Sequence, residues 1–222
     1  MDWYKKEKKY EGWTISEFLN PKLLKNKKLN DGVNRKAHIR SYFVLVRDKF
    51  GTLDIYEIKV RLLYFAVDPY DESCVIMNSD NKYSFITNLA LASEERNINY
   101  NTDNYTDILS NYNDQIFNFK KLSNRITEYG LRCIEKVGNE NLKCFNENFK
   151  NFEGCYQILA IDYLPINKNE LKLLEVNKGP GFKGLKSNFD LKLIFDEIFS
   201  VTIDKLTGSK SEVELNYLEK IN

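Results

Sequence analysis

The chain has 222 residues, enough for one well-formed hydrophobic core. Its 33 basic and 32 acidic side chains give a net charge of +1, so bulk charge offers no attraction for nucleic acid or for an anionic membrane. The single histidine, His38, excludes a metal site with two histidine ligands in one chain and leaves only this residue for a catalytic triad.

The four cysteines indicate a reducing compartment. Cys74, Cys133, Cys144 and Cys155 contain no C-x-x-C pair, and the lysine-rich segment 1–10 precedes no apolar run of the kind that a signal peptide has. The longest apolar stretches have the length of strands, which is too short to cross a bilayer. The sequence therefore predicts a cytoplasmic protein with reduced thiols and no membrane segment.

The first third of the chain predicts mostly β structure. We expect a charged arm over residues 1–11, followed by a short extended segment that stops at Pro21. Three further segments have the alternating or continuous apolar pattern of strands, and we expect them to form an antiparallel meander: 39–46, 53–60 and 62–67.

The apolar period changes after Thr106. Apolar residues from Ile108 to Ile134 recur at helical spacing and predict one or two amphipathic helices, with a break near Asn111 or Gly130. A final helix carries an apolar stripe from 191 to 202, and we expect Ser187 or Asn188 to cap it.

A hairpin between these helices carries three polar side chains. We expect strands at 156–164 and 171–177. Asp162 interrupts the first strand, whereas Glu175 and Asn177 lie two residues apart in the second and so share a face. Carboxylate and amide oxygens are the ligands that Mg²⁺ takes beside nucleotide phosphates. The sequence is also compatible with these side chains pointing to water.

The second strand of this hairpin contains a recognisable motif. Leu173-Leu-Glu-Val-Asn-Lys-Gly-Pro180 resembles the signature of the tubulin–tyrosine ligase-like family, which belongs to the ATP-grasp superfamily. Four further segments resemble motifs of this family in the same order along the chain: Trp13-Thr-Ile-Ser-Glu-Phe-Leu-Asn-Pro21, Lys36-Ala-His-Ile-Arg40, Phe85-Ile-Thr-Asn88 and Ala160-Ile-Asp162.

The resemblance covers residues 12–206 and implies an α+β fold. We expect an ATP-grasp C-terminal-type subdomain, with a largely antiparallel sheet and packed helices, that lacks the N-terminal ATP-grasp portion. The remaining segments are then the charged arm 1–11 and a polar tail, 207–222. A partner chain that supplies the missing half, or a longer ligase of which this chain is a fragment, are alternatives that the sequence leaves open.

The resemblance also assigns roles to the positions that match. Lys36 and Arg40 are the expected catalytic residues, facing the ATP phosphates or an acyl phosphate. The expected Mg²⁺ ligands are Asp162, Glu175 and Asn177. The expected nucleotide-binding residues are Glu17, Phe18, Leu19, Lys36, Arg40 and Asn88.

The implied reaction is an ATP-dependent ligation. The family phosphorylates a carboxylate with ATP, and an amine then attacks the acyl phosphate, so we expect ATP and Mg²⁺ as cofactors. The expected partners are a small amino acid and a protein substrate, with tubulin as one possibility.

Three positions depart from the family pattern. His38 stands where the family strand has aspartate, Tyr64 where an arginine is usual, with Arg61 nearby as a substitute, and Phe85 where the motif has histidine. The alternative function is therefore a degenerate, inactive ATP-grasp domain that binds nucleotide or protein. Within its strand, we expect His38 to be a hydrogen-bonded structural residue rather than a base.

Overall fold

A computed structural model describes most of the chain. It covers residues 19–71, 81–116, 118–148, 154–166, 170–186, 188–209 and 214–222, with side chains described for all of these except 137–148. The expected arm 1–11 lies outside these ranges. No helix in the described ranges has the length and apolar character that a membrane span requires.

The described chain forms an antiparallel sheet with helices on both faces, which confirms the expected α+β class. The strands are β1 Leu23–Lys25, β2 Asn34–Asp48, β3 Leu53–Ile58, β4 Leu62–Phe65, β5 Thr106–Ile108, β6 Gly154–Ile166, β7 Glu170–Lys178 and β8 Leu218–Lys220. The helices are α1 Lys82–Phe85, α2 Leu89–Arg96, α3 Thr102–Tyr105, α4 Phe119–Asn148, α5 Lys183–Lys186 and α6 Leu191–Thr207, with a 3-10 turn at Leu109–Tyr112.

The central strand β2 shows that the predicted meander is wrong. Along one edge, β2 pairs with β6 over ten residues, from Ile39 to Asp48. Along the other edge it pairs with β4 at residues 37–40 and with β3 at residues 43–47. β2 is long enough to hold both partners end to end. The chain after β3 therefore returns to the first half of β2 instead of pairing beside β3.

The predicted hairpin is confirmed as β6 and β7. The two strands pair antiparallel, with Asp162 opposite Glu175 and Ala160 opposite Asn177. The register then shifts between Asp162 and Tyr163, where Leu174 is the extra residue of a bulge in β7. Because β6 also pairs with β2, the hairpin extends the sheet from its centre.

The two faces of β2 pack against different helices. Its odd-numbered apolar residues lie in a core beneath α4: Ala37, Ile39 and Phe43. Its even-numbered apolar residues lie in a second core beneath α6: Tyr42, Val44 and Val46. Alternation along a single strand thus divides the apolar side chains between two layers of helix.

The helical prediction after Thr106 is correct in type but not in extent. Ile108 and Leu109 lie in β5 and the following 3-10 turn, and α4 begins only at Phe119. The chain therefore breaks after the turn that contains Asn111. Gly130 does not break α4. A glycine is needed there because a side chain would collide with the buried ring of Phe43.

The cap of the last helix and the structure of the expected polar tail, 207–222, also differ from the predictions. Asp190 caps α6 by accepting a hydrogen bond from Lys192 N at 2.9 Å, so the expected cap at Asn188 is wrong. The other candidate, Ser187, lies outside the described residues. Residues 218–220 form β8 beside β3. The buried carboxylate of Glu197 accepts backbone hydrogen bonds at the approach to β8, including one from Leu218 N at 3.0 Å, and so holds this strand against α6.

Gly130→Ala should destabilise the protein by about 1 to 3 kcal/mol. A Cβ at position 130 would lie 2.3 Å from Cζ of the fully buried Phe43. Alanine is the better helix former by about 1 kcal/mol, so the steric contact decides the sign. The measurement is the free energy of unfolding in urea. Gly181→Ala is the matched control, since a Cβ there meets nothing within 4 Å; a more stable Gly130→Ala protein would contradict the packing.

Candidate functional site

A cavity of about 540 Å³ opens on the even-numbered face of β2, next to the core beneath α6. Its polar wall comes from neighbouring positions of β2, β6 and β7, and segment 85–89 between α1 and α2 forms the facing wall. The cavity therefore lies where the central hairpin meets the segment that carries two short helices. Its charged or hydrogen-bonding lining residues include His38, Arg40, Asp162, Glu175 and Asn177.

Arg40 and Asp162 form an ion pair in this lining, with Asp162 buried and Arg40 partly buried. They lie opposite each other in the β2–β6 register. Arg40 donates from Nε to Oδ1 at 2.7 Å and from Nη2 to Oδ2 at 2.6 Å, which is the bidentate geometry of a strong charge-assisted pair. Burial acts to lower the pKa of Arg40, but the hydrogen bonds and charge of Asp162 outweigh it, and the pKa is raised. Arg40 is therefore a permanent cation.

Glu175 and Asn177 extend this pair from the next strand. Asn177 Nδ2 donates to Glu175 Oε1 at 3.0 Å and to Asp162 Oδ2 at 3.4 Å. Glu175 Oε1 lies 4.0 Å from Arg40 Nη2, and its side chain is 60% exposed. The hairpin therefore gathers two carboxylates and an amide around one point, with Asp162 buried and Glu175 open to the cavity.

His38 lies on the same face of β2, two residues before Arg40. Its Nδ1 is 2.6 Å from Thr87 Oγ1, and its ring stacks on Tyr64 with centroids 5.0 Å apart and an interplanar angle of 2°. Burial lowers the pKa of His38 to about 3, and the charges of Arg40 and Lys36 add to this effect, against an opposing influence of Glu175. The imidazole is therefore neutral at physiological pH, which agrees with the expected structural role rather than a base.

Lys36 continues the row on β2 that contains His38 and Arg40. Burial lowers the pKa of its ammonium group. Within the described ranges, no carboxylate lies within 4.0 Å of this nitrogen, unlike Arg40. Lys36 does not line the cavity itself, but its charge acts on His38 at the cavity wall. A partly buried cation with no carboxylate beside it among the described residues favours the approach of an anion.

A comparison with known families decides what this fold is. The model of the tubulin–tyrosine ligase family matches residues 2–213. The chain belongs to this family. Membership implies an ATP-grasp-like fold, in agreement with the mixed helices and antiparallel sheet of the described residues.

Two curated relatives carry the family name. A probable tubulin–tyrosine ligase of Saccharomyces cerevisiae is 29% identical over 196 residues, which are 85% of this chain and 23% of that protein. A probable tubulin–tyrosine ligase of Schizosaccharomyces pombe is 26% identical over 190 residues, which are 86% of this chain and 42% of that protein. The chain thus spans less than half the length of either relative.

The donor set fits the Mg²⁺ that a tubulin–tyrosine ligase implies. Asp162, Glu175 and Asn177 supply carboxylate and amide oxygens, and a half-turn of the Asn177 amide would place Oδ1 where Nδ2 now meets both carboxylates. In the part of the chain that the structure describes, no three His, Cys, Asp or Glu side chains converge on one point. Asn177 and oxygens of a bound ligand would therefore complete the coordination.

Only some of the residues that were expected to bind the nucleotide line the cavity. Asn88 lines the cavity, but its Oδ1 caps α2 by accepting from Leu91 N at 3.2 Å. Leu19 is described and does not line the cavity. Glu17 and Phe18 lie outside the described residues.

The sequence did not predict two features that shape this site. The first is the tether from Thr87 to His38, which joins residues 49 positions apart and leaves no periodic signal. The second is the bulge in β7, which directs Leu174 into the cavity lining. The consecutive leucines 173 and 174 ahead of Glu175 were a signal that strict alternation fails there.

The buried, neutral His38 should make stability depend on pH. Its pKa is about 3 when folded and about 6.5 when unfolded, so the unfolded state binds more protons below pH 6.5 and stability falls as the pH falls. Between pH 7.5 and 5, the wild type should lose about 2 kcal/mol more than His38→Gln. Urea unfolding in buffers with a chelator measures this difference. Parallel pH profiles for the two proteins would contradict the assignment of a neutral imidazole.

Proposed function

We propose that this chain is an ATP-dependent carboxylate–amine ligase that uses the cavity beside β2 for Mg²⁺–ATP. The observation that carries the proposal is the juxtaposition of a guanidinium fork with two carboxylates and an amide in one cavity. Cationic donors suit phosphate oxygens, and the oxygen donors suit a divalent ion. Few functions other than the binding of a metal–phosphate ligand need both sets within one cavity.

The cations would bind and orient the anionic groups of the substrates. Arg40 is fixed by Asp162, so its remaining nitrogen, Nη1, can donate in a defined direction at no further conformational cost. Lys36 adds a charge from the same face of β2, and its flexible stem allows it to follow a phosphate oxygen. These two residues would stabilise the charge that develops when phosphate passes from ATP to a carboxylate.

The acidic side chains would hold the metal ion. Asp162 and Glu175 differ in exposure, with one held inside by Arg40 and the other open to the cavity. Asn177 links the two and keeps them close together. When bound, Mg²⁺ would neutralise phosphate charge. The protein substrate and the amino acid follow from the family alone, and a tubulin-like acceptor is the first to test.

A second candidate function is nucleotide binding without ligation. One observation favours it: the bidentate contact with Asp162 occupies Nε and Nη2 of Arg40, the edge of the guanidinium that would otherwise grip a phosphate. The neutral His38 and the ring of Tyr64 surround this pair with uncharged groups. A degenerate domain with this site would bind Mg²⁺–ATP and act through a partner.

Both candidates predict Mg²⁺-dependent binding of ATP to the purified chain. Isothermal calorimetry should detect binding with Mg²⁺ and little without it, and Glu175→Gln should weaken it by about three- to ten-fold because one ligand charge is lost. Glu170→Gln is the matched control, since Glu170 is an exposed residue at the far end of the same strand. No binding at millimolar Mg²⁺–ATP would exclude both functions for this chain.

Turnover separates the two candidates. A ligase should convert ATP to ADP and phosphate only when a protein acceptor and the matching amino acid are both present, with the labelled amino acid joined to the acceptor. The assay uses tubulin with a panel of amino acids, and Arg40→Lys should reduce the rate by about ten-fold or more because the fork is lost. Tight binding with no ADP for any combination would favour the binding module.

A further inference from the structure

One buried polar atom in the cavity wall has no hydrogen-bond partner among the described residues. It is His38 Nε2, which is fully shielded from solvent, on a side chain that is 9% exposed as a whole. Buried polar atoms are normally satisfied, and an exception inside a cavity indicates that a ligand completes the interaction. Oδ2 of Asp162 lies 3.7 Å from Nε2.

The other side of the ring is held in place. Nδ1 is hydrogen-bonded to Thr87 Oγ1 at 2.6 Å, and the stack on Tyr64 fixes the plane of the ring. In the tautomer with the proton on Nδ1, His38 donates to Thr87 Oγ1 and leaves the lone pair of Nε2 available to a metal ion. An oriented histidine with its second nitrogen hydrogen-bonded is the arrangement found around metal ions.

The distance between Nε2 and the carboxylate identifies the missing group. At 3.7 Å, the two atoms are too far apart for a direct hydrogen bond. A metal ion about 2.0 to 2.2 Å from each of them would place them about 3 to 3.7 Å apart. In the tautomer with the proton on Nδ1, Nε2 and the carboxylate both offer lone pairs, and a cation between them is attracted to each.

We propose that His38 Nε2 and Asp162 Oδ2 together coordinate the divalent ion of this site, which gives an otherwise oxygen-only site one nitrogen ligand. The inference rests on the proposed function, because ligand phosphates and Asn177 complete the coordination. Among the described residues, His38, Asp162 and Glu175 do not converge on one point, so Glu175 acts on this ion through its charge. Mg²⁺ prefers oxygen alone, whereas Mn²⁺, Co²⁺ and Zn²⁺ accept imidazole. The site therefore favours nucleotide bound with Mn²⁺ over nucleotide bound with Mg²⁺.

The single histidine makes a direct spectroscopic test available. Pulsed electron paramagnetic resonance of the Mn²⁺–ATP complex, on untagged protein, should show the coupling of a coordinated imidazole nitrogen. Labelling histidine with ¹⁵N should change this coupling, and only His38 can be its source. His38→Gln should abolish it and should lower the ratio of Mn²⁺–ATP to Mg²⁺–ATP affinity, measured by calorimetry, by about ten-fold.

Thr87→Val provides a second variant that leaves the metal ligands in place. Loss of the Thr87 tether should reduce the same selectivity while the nitrogen coupling persists, and circular dichroism checks the fold of both variants. Binding of Mn²⁺–ATP without nitrogen coupling would overturn this inference and leave the proposed function intact. Failure to bind nucleotide with either metal would overturn the proposed function and the inference together.

Discussion

The ion pair between Arg40 and Asp162 is the constraint on which the site depends. Two charges taken out of water cost several kcal/mol each, and only good geometry offsets that cost. The bidentate contact joins strands that are 122 residues apart in sequence. A one-residue slip of β6 would place Arg40 opposite Ile161 or Tyr163 and leave a buried charge unpaired, at about 3 to 5 kcal/mol. The pair therefore sets the register that brings β7 and Glu175 to the cavity.

This constraint also limits what the cavity can do. An anion that approaches Arg40 competes with a carboxylate already in place, whereas a cation finds two carboxylates close together. The site is thus better prepared for a metal–phosphate ligand than for a free anion, because the metal can take Asp162 as the phosphate takes the guanidinium. The neutral ring of His38, supported by Tyr64 and Thr87, adds no charge of its own to the wall of this cavity.

Local sequence patterns predicted the individual strands and helices better than the way in which they pair and pack. Alternating or continuous apolar patterns identified β2, β6 and β7. The spacing of Glu175 and Asn177 placed both beside Asp162, because register in a hairpin follows from short-range pairing. The end-to-end placement of β3 and β4 along β2 depends on contacts between distant segments, which no local pattern contains. Gly130 suggested a helix break from propensity alone, but the ring of Phe43 gives that glycine a packing role.

The long central strand has a consequence for synthesis of the protein. The partners of one edge of β2, β3 and β4, follow within a few tens of residues. The partner of the other edge, β6, follows more than a hundred residues later. Until β6 leaves the ribosome, this edge presents unpaired backbone groups together with apolar side chains, which is the surface on which nascent chains aggregate. We expect slow folding set by this late closure, and a requirement for chaperones that bind extended apolar segments while translation continues.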